Sequence, residues 1–133
     1  MLAAAHGGSA ARSAAPEIGW VDVDSDDESL VPSGWWFQWH YDRWRLPAGA
    51  TEIARNPQAS QAFVLDRNLA IQFHPELDQQ ILRGWLDNGG DEEARKAGVD
   101  PDTLLADTRR NTVDSRIRAH RLVDAFLDRV APT

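Results

Sequence analysis

Residues 35–42 read WWFQWHYD, and this stretch decides the fold because its side chains alternate between two faces. The two alternating sets are Trp35, Phe37, Trp39 and Tyr41, and then Trp36, Gln38, His40 and Asp42. A repeat of two residues is typical of a β-strand. The pattern therefore predicts a strand with one aromatic face and a second face that turns polar toward its carboxyl end.

Shorter β patterns lie on both sides of this strand. Residues 18–23 and 51–55 each predict a strand. Residues 61–66 and 69–74 predict a hairpin around a turn at residues 66–68. Five apolar side chains of this hairpin are expected to share one face: Phe63, Leu65, Leu69, Ile71 and Phe73.

The first residues of the chain are rich in alanine and glycine. Residues 1–5 predict a short helix that Gly7 and Gly8 end, because glycine tolerates the left-handed conformation that closes a helix. The small, polar residues 9–16 predict a loop that ends at Pro16.

Helical patterns fill the second half of the chain. Asp78 is expected to cap a helix that stops at residues 88–90, and residues 91–108 predict one or two short helices. A last helix is predicted over residues 112–130. Its expected buried stripe consists of Val113, Ile117, Val123, Phe126, Leu127 and Val130.

Composition narrows the classes of function. A chain of 133 residues fits a single domain spanning 1–133. Its net charge of −7 argues against nucleic acid or an anionic membrane as a partner. The absence of cysteine excludes a disulfide, a Cys-ligated zinc and a cysteine nucleophile within these residues. Without a long apolar run or a secretory signal, the cytoplasm is the predicted location.

The residues best suited to chemistry lie in IQFHPE, residues 71–76. His74 and Glu76 are two apart, and Pro75 favours an extended backbone at His74, so both side chains can reach the same side. A carboxylate beside an imidazole fixes its tautomer and raises its basicity. These residues alone leave two interpretations open, a general base and a hydrogen-bonded structural histidine.

Five motifs follow one another in the chain, with Ala54 and Asn56 among them: PEIGW at 16–20, WHYD at 39–42, LPAGA at 46–50, QAF at 61–63 and QFHPE at 72–76. In order and spacing they resemble class I glutamine amidotransferases, in particular the amidotransferase domain of GMP synthase. The resemblance covers residues 17–85. It implies an α/β fold with a mixed sheet flanked by helices, that is, part of a flavodoxin-like domain.

The resemblance also implies an activity. In that family a cysteine thiolate attacks the side-chain amide of glutamine, and ammonia leaves for transfer to an acceptor. By resemblance His74 is the catalytic histidine and Glu76 the acid that orients it. The implied substrate-binding residues are His40, Tyr41 and Asp42, with a buried His40–Asp42 pair as the structural alternative. The expected partners are glutamine and a synthetase or other acceptor-modifying protein, and no cofactor is expected.

The family's nucleophile has no counterpart in this sequence. It lies on a Gly-x-Cys-x-Gly elbow, and the helix behind it leads to a glycine pair similar to residues 5–8. We therefore expect the C-terminal part of the domain, with two of three triad members and no activity by itself. The serines lack a Gly-x-Ser-x-Gly setting. Missing strands would leave an open sheet edge, which predicts marginal stability or self-association.

Two other functions fit the same residues. A metal-dependent hydrolase would use His40, Asp42, His74 and Glu76 as ligands. A non-catalytic, amidotransferase-like interaction module would need no nucleophile at all.

Overall fold

Two long, paired antiparallel strands form one side of the sheet. The computed structural model describes residues 1–131, in which β1 spans Ser9–Ser25 and β2 spans Gly34–Arg45. The loop predicted for residues 9–16 is wrong, because the segment belongs to β1 and its first four residues pair with the end of β2. The pairing register shifts between Arg12 and Glu17, and such an irregularity accommodates Pro16, which has no N–H to donate.

Three shorter strands complete the sheet. They are β3 (Thr51–Arg55), β4 (Ser60–Leu65) and β5 (Asn68–Ile71), and the spatial order is β2-β1-β3-β4-β5. The predicted α/β class is confirmed. All strand pairs within residues 1–131 are antiparallel, so the parallel pairs of a mixed sheet are not among them. The short connections β1–β2, β3–β4 and β4–β5 explain three of the four pairs, because a parallel pair needs a long crossover.

The β4–β5 hairpin has a shorter turn than predicted. Leu65 pairs with Asn68, so only two residues form the turn, and Asp66 adopts a φ of 53° there. The register places Phe63 opposite Ala70, and thus on the other face from Leu69. The expectation that Phe63 and Leu69 share a face is therefore wrong, since a slip of one residue moves a side chain across the sheet.

The chain beyond β5 closes the sheet onto β2. The amide of Gln72 donates to the carbonyl of Gln61 at 2.9 Å, and the amide of His74 donates to the carbonyl of Phe37 at 2.9 Å. Between them, Phe73 stacks on Trp36 with ring centroids 4.4 Å apart. The curled sheet thereby brings the predicted His-Pro-Glu segment against the middle of β2.

Side chains of β2 enter a core on each face of the sheet, as the alternating pattern predicts. Trp36 packs with Val23 and Val31, whereas Phe37 packs with Leu82. A third, smaller cluster joins Phe63 to Ala3 and Ala70.

The helices before residue 100 follow the sequence signals. Helix α1 spans Leu2–Ala5, and the amide of Gly8 donates to the carbonyl of Ala3 at 2.8 Å. Helix α2 spans Gln79–Trp85, and Asp78 caps it by accepting from the amide of Ile81 at 2.8 Å. A kink at Leu86–Gly90 leads into α3, Asp91–Lys96.

The last helix is longer than predicted. Helix α4 spans Pro101–Ala125 and continues through a wider turn, Phe126–Val130. It begins before residue 112 because Asp100 caps it and Pro101 is compatible with a first helical turn. None of the helices in residues 1–131 has the length and apolar character needed to cross a membrane.

The buried face of α4 and its continuation includes only two residues of the predicted stripe, Val130, which is buried, and Phe126, which packs against the core. Val113 and Ile117 are exposed, whereas Thr108, Ser115 and Leu122 are buried against the sheet. Trp20 donates its indole N–H to the Thr108 hydroxyl at 3.0 Å. The rest of the predicted stripe is exposed because Thr108 and Ser115 share the docked face with Leu104 and Leu122, and a hydrophobic period does not detect the two hydroxyl residues.

Adjacent residues of α4 test this orientation. Leu122→Ala should lower the free energy of unfolding by about 2–5 kcal/mol, because Leu122 is 5% exposed and its loss leaves a cavity. Val123→Ala should change it by less than about 0.5 kcal/mol, because Val123 is 49% exposed. Chemical denaturation in dilute solution measures both. A larger loss for the Val123 variant would contradict the orientation.

Candidate active site

His74 and Glu76 form a hydrogen-bonded pair, as their spacing predicts. Nδ1 of His74 lies 2.8 Å from Oε1 of Glu76. The backbone of His74 is held to Phe37 of β2, and Asp78 begins α2 four residues later. The imidazole is therefore fixed between the sheet and the start of a helix.

The second ring nitrogen of His74 is the one free for proton transfer. Nδ1–H is directed to Glu76, whereas Nε2 lies 3.4 Å from the backbone oxygen of Trp39, to which it can donate only when the ring is protonated. The His74 ring packs edge-on against Trp85, with centroids 5.0 Å apart. The carboxylate and the indole thus set both the tautomer and the direction of the imidazole.

The pair shifts both pKa values toward the charged forms. Burial lowers the pKa of His74, but the hydrogen bond and charge of Glu76 outweigh it, so the pKa is raised above its usual value. The hydrogen bond from His74 lowers the pKa of Glu76, although burial opposes that shift. An imidazole of raised basicity beside a carboxylate is suited to general base catalysis.

His74 faces an open cavity of about 710 Å³. Its lining consists of Trp39, Tyr41, His74, Gly84, Trp85, Asn88, Gly89, Gly90, Glu92 and Glu93. Aromatic rings form one wall, and the glycine-rich kink and two carboxylates form the rest. None of these described residues is a serine, threonine or cysteine, so this lining places no thiol or aliphatic hydroxyl beside the base.

Tyr41 is the one predicted substrate-binding residue that lines this cavity. Its hydroxyl donates to Glu93 at 3.0 Å and so connects β2 to α3. Burial first, and then the carboxylate of Glu93, raises the pKa of the phenol.

His40 and Asp42 do not line the His74 cavity. Nε2 of His40 lies 2.8 Å from Oε2 of Glu17, and Nδ1 lies 3.0 Å from the backbone oxygen of Asp42. The structural alternative from the sequence, a His40–Asp42 side-chain pair, is thus replaced by a His40–Glu17 pair.

Glu17 anchors a buried polar network that the sequence did not assign. It is 5% exposed, and it accepts hydrogen bonds from Asn56 at 2.6 Å and Gln61 at 3.4 Å. Gln61 in turn accepts from Gln38 at 2.9 Å. Burial raises the pKa of Glu17, but the close contact with His40 and the hydrogen bond from Asn56 outweigh it and lower the pKa. The side chains of Glu17, Asn56 and Gln61, all named in the sequence resemblance, are therefore joined in one buried hydrogen-bond network.

Sequence reasoning also missed several residues around the cavity. Trp39 was expected in an aromatic face, and the residues 88–90 only as a helix stop. The two features meet because α2 places Trp85 edge-on to Trp39, with centroids 5.8 Å apart. The glycines of the kink were the available signal, since they mark a place where the backbone can approach a ligand closely.

The structure divides the four residues considered as metal ligands. His40 lies with Glu17, whereas His74 lies with Glu76. In the part of the chain that the structure describes, no group of three or more His, Cys, Asp or Glu side chains could hold a metal ion. The geometry therefore gives no support to a shared metal site.

Comparison with solved structures identifies the fold. A glutamine amidotransferase from Methylobacillus flagellatus matches 96% of the chain with a TM-score of 0.84 and 24% identity. A glutamine amidotransferase from Thermotoga maritima matches 100% of it with a TM-score of 0.81 and 28% identity. A GMP synthase subunit from Thermoplasma acidophilum matches 57%, with a TM-score of 0.52 and 25% identity, over 43% of its own length.

The chain has a class I glutamine amidotransferase-like fold. This amidotransferase-like chain spans 58% of the Methylobacillus structure and 59% of the Thermotoga structure. No protein-family model matches the sequence, and no curated protein is significantly similar to it.

The coupling of His74 to Glu76 is directly measurable. Glu76→Gln should lower the pKa of His74, because the raising effect of the carboxylate is lost while the lowering effect of burial remains. NMR titration of the imidazole protons checks this. Glu28→Gln, which removes an exposed carboxylate elsewhere, should leave the titration unchanged. An unshifted His74 in the Glu76 variant would contradict the pairing.

The free energy of unfolding should depend on pH through the His74–Glu76 pair. The raised pKa of His74 means that its contribution is lost as the pH rises through that pKa. The lowered pKa of Glu76 means that its contribution is lost as the pH falls through that pKa. The difference in unfolding free energy between wild type and Glu76→Gln should therefore be largest between the two pKa values.

Glu17 should be needed for folding rather than for chemistry. Glu17→Ala should lower the free energy of unfolding by about 3–5 kcal/mol, because it leaves buried polar partners without a carboxylate. Glu28→Ala, at an exposed position, is the matched control and should have little effect. Denaturant unfolding of both variants measures this, and equal stability would refute the role of the network.

Proposed function

We propose that this chain supplies the base and its orienting acid to a glutamine amidotransferase whose thiol lies outside these 133 residues. The observation that carries the proposal is the His74–Glu76 pair, in which His74 lines an open cavity. The absence of cysteine and the 58–59% coverage of both solved amidotransferases support the second half of the proposal. The chain is then the C-terminal portion of a single domain.

The proposed reaction uses His74 as a base, then as an acid, and then as a base again. Nε2 accepts the thiol proton, and the thiolate attacks the side-chain carbonyl carbon of glutamine. When the tetrahedral intermediate collapses, the C–N bond breaks, and protonated His74 delivers its proton to the leaving ammonia. Water then hydrolyses the glutamyl thioester, with His74 as base, and glutamate is released. Glu76 stabilises the imidazolium that forms in each half of the cycle.

The cavity suits glutamine on electrostatic grounds. Glu92 and Glu93 form an acidic wall, which favours the ammonium group of an amino acid. The same wall disfavours the extra negative charge of glutamate, so it assists product release. We assign Tyr41 to substrate contact, and we leave His40 and Asp42 out of that role because neither lines the cavity.

Ammonia is expected to pass to an acceptor on a synthetase or other acceptor-modifying partner. One matching structure is a GMP synthase subunit, which supports a partner of this general kind. The cytoplasm is the predicted setting, since a reduced compartment keeps a catalytic thiol reduced.

A glutaminase assay tests the proposal. The 133-residue chain should show no turnover, whereas a protein extended through a Gly-x-Cys-x-Gly elbow encoded upstream should release glutamate and ammonia. In the extended protein, His74→Asn should lower kcat about 10²–10⁴-fold because proton transfer is lost. His120→Asn, at an exposed position, is the matched control and should retain activity.

Two results would contradict this function. Robust glutamine hydrolysis by the 133-residue chain would exclude a nucleophile supplied from outside. A gene without an in-frame elbow, together with no turnover on any mixture, would favour the non-catalytic interaction module.

A further inference from the structure

His40 faces a hydrogen-bond acceptor at each of its two ring nitrogens. Nδ1 lies 3.0 Å from the backbone oxygen of Asp42, and Nε2 lies 2.8 Å from Oε2 of Glu17. Nε2 is buried, and the described part of the chain offers it no other partner. A neutral imidazole has one N–H, and the lone pair on its other nitrogen repels an acceptor. The two contacts together therefore require a proton on each nitrogen.

The extra proton belongs to His40 rather than to Glu17. Burial raises the pKa of Glu17, but the contact with His40, the hydrogen bond from Asn56 and the positive charge of Arg43 outweigh burial and lower the pKa. A carboxylate, rather than a carboxylic acid, thus faces Nε2. The pair is a buried imidazolium–carboxylate ion pair, in which the loss of either charge leaves the other uncompensated.

The contacts of His40 lie where the backbone pairing of β1 with β2 is irregular. The register pairs Glu17 with His40 and Arg12 with Asp42, so residues 13–16 of β1 face a single residue of β2. The regular ladder of backbone hydrogen bonds is interrupted over this stretch. The imidazolium crosses the interruption, because it contacts Glu17 of β1 and the Asp42 carbonyl of β2 at once.

The carbonyl of Asp42 is shared with the segment that carries His74. The side-chain amide of Gln72 donates to this carbonyl at 3.2 Å. The backbone amide of Gln72 donates to the carbonyl of Gln61 at 2.9 Å, and the Gln61 side chain donates to Glu17 at 3.4 Å. Gln72 is thus tied to this network twice, two residues before His74.

We propose that His40 is a positioning residue for the His74 site and that it acts through its second ring proton. With that proton, His40 holds both Glu17 and the Asp42 carbonyl, so Gln72 has a fixed acceptor. Without it, the carboxylate keeps the remaining N–H, because a charged acceptor binds a donor more strongly than a neutral carbonyl does. A lone pair then faces the Asp42 carbonyl and repels it, which loosens the segment before His74.

The inference rests on the proposed function only for the catalytic role of His74. The positioning itself is measurable in the 133-residue chain by NMR, without turnover.

A pH titration of the wild type follows the second proton and its effect together. Nitrogen-15 spectra should show both ring nitrogens of His40 protonated at the acidic end, with one proton lost in a single step. Over that step the protection factor of the His74 amide, which donates to Phe37, should fall about tenfold, as expected when one hydrogen bond to a charged group is lost. A protection factor compares exchange with that of an unstructured peptide at the same pH, so the ordinary effect of pH on exchange cancels.

Glu17→Gln separates the proton from the rest of the network. The introduced amide can donate to Nε2, so a neutral His40 keeps its Nδ1–H on the Asp42 carbonyl. The fall in His74 amide protection with rising pH should therefore disappear in this variant. Glu28→Gln removes an exposed carboxylate elsewhere and is the matched control, which should retain the wild-type fall. Circular dichroism of both variants verifies that they are folded.

Three results would overturn the proposal. The first is a His40 ring with a single proton throughout the pH range in which the chain is folded, which the wild type alone can show. The second is His74 amide protection that stays constant while His40 titrates. The third is a fall that persists in Glu17→Gln. The absence of glutaminase activity in the extended protein would instead contradict the proposed function and would leave these measurements unchanged.

Discussion

The hydrogen bond from the amide of His74 to the carbonyl of Phe37 is the contact on which the candidate site depends. It holds the chain beyond β5 against β2, although these segments belong to opposite edges of the sheet order. Phe73 is then placed on Trp36, and His74 is placed beside Trp39 and Trp85. Without this closure the His-Pro-Glu segment would be an exposed turn with no cavity beside it.

The same chemical pair occurs twice in this chain and has two different uses. The His40–Glu17 pair is enclosed by amide side chains and connects β1 to β2, so it stabilises the sheet. The His74–Glu76 pair is partly exposed at the edge of a cavity, and one imidazole nitrogen is free to exchange a proton. Burial and surroundings, rather than residue type, decide which pair is structural and which is suited to catalysis.

Local features of the fold were predictable, and features set by docking were not. The strand around Trp36, the cap at Asp78 and the helix stop at Gly89 depend on residues close in sequence, and all three are present. The face of Phe63 depended on the length of one turn. The sequence predicted a turn of three residues, and the turn in the structure is one residue shorter. The buried side of α4 depended on hydrogen bonds such as Trp20–Thr108, between residues 88 positions apart.

The sequence by itself determined that His74 and Glu76 can pair, because two residues in an extended segment with proline between them reach the same side. It also determined that no cysteine is available within these residues. Only the tertiary structure decided that His74 faces a cavity while His40 faces a buried carboxylate. The physical reason is that both histidines lie in β-like segments of similar polarity, and what each one meets is set by strand register and helix docking across distant parts of the chain.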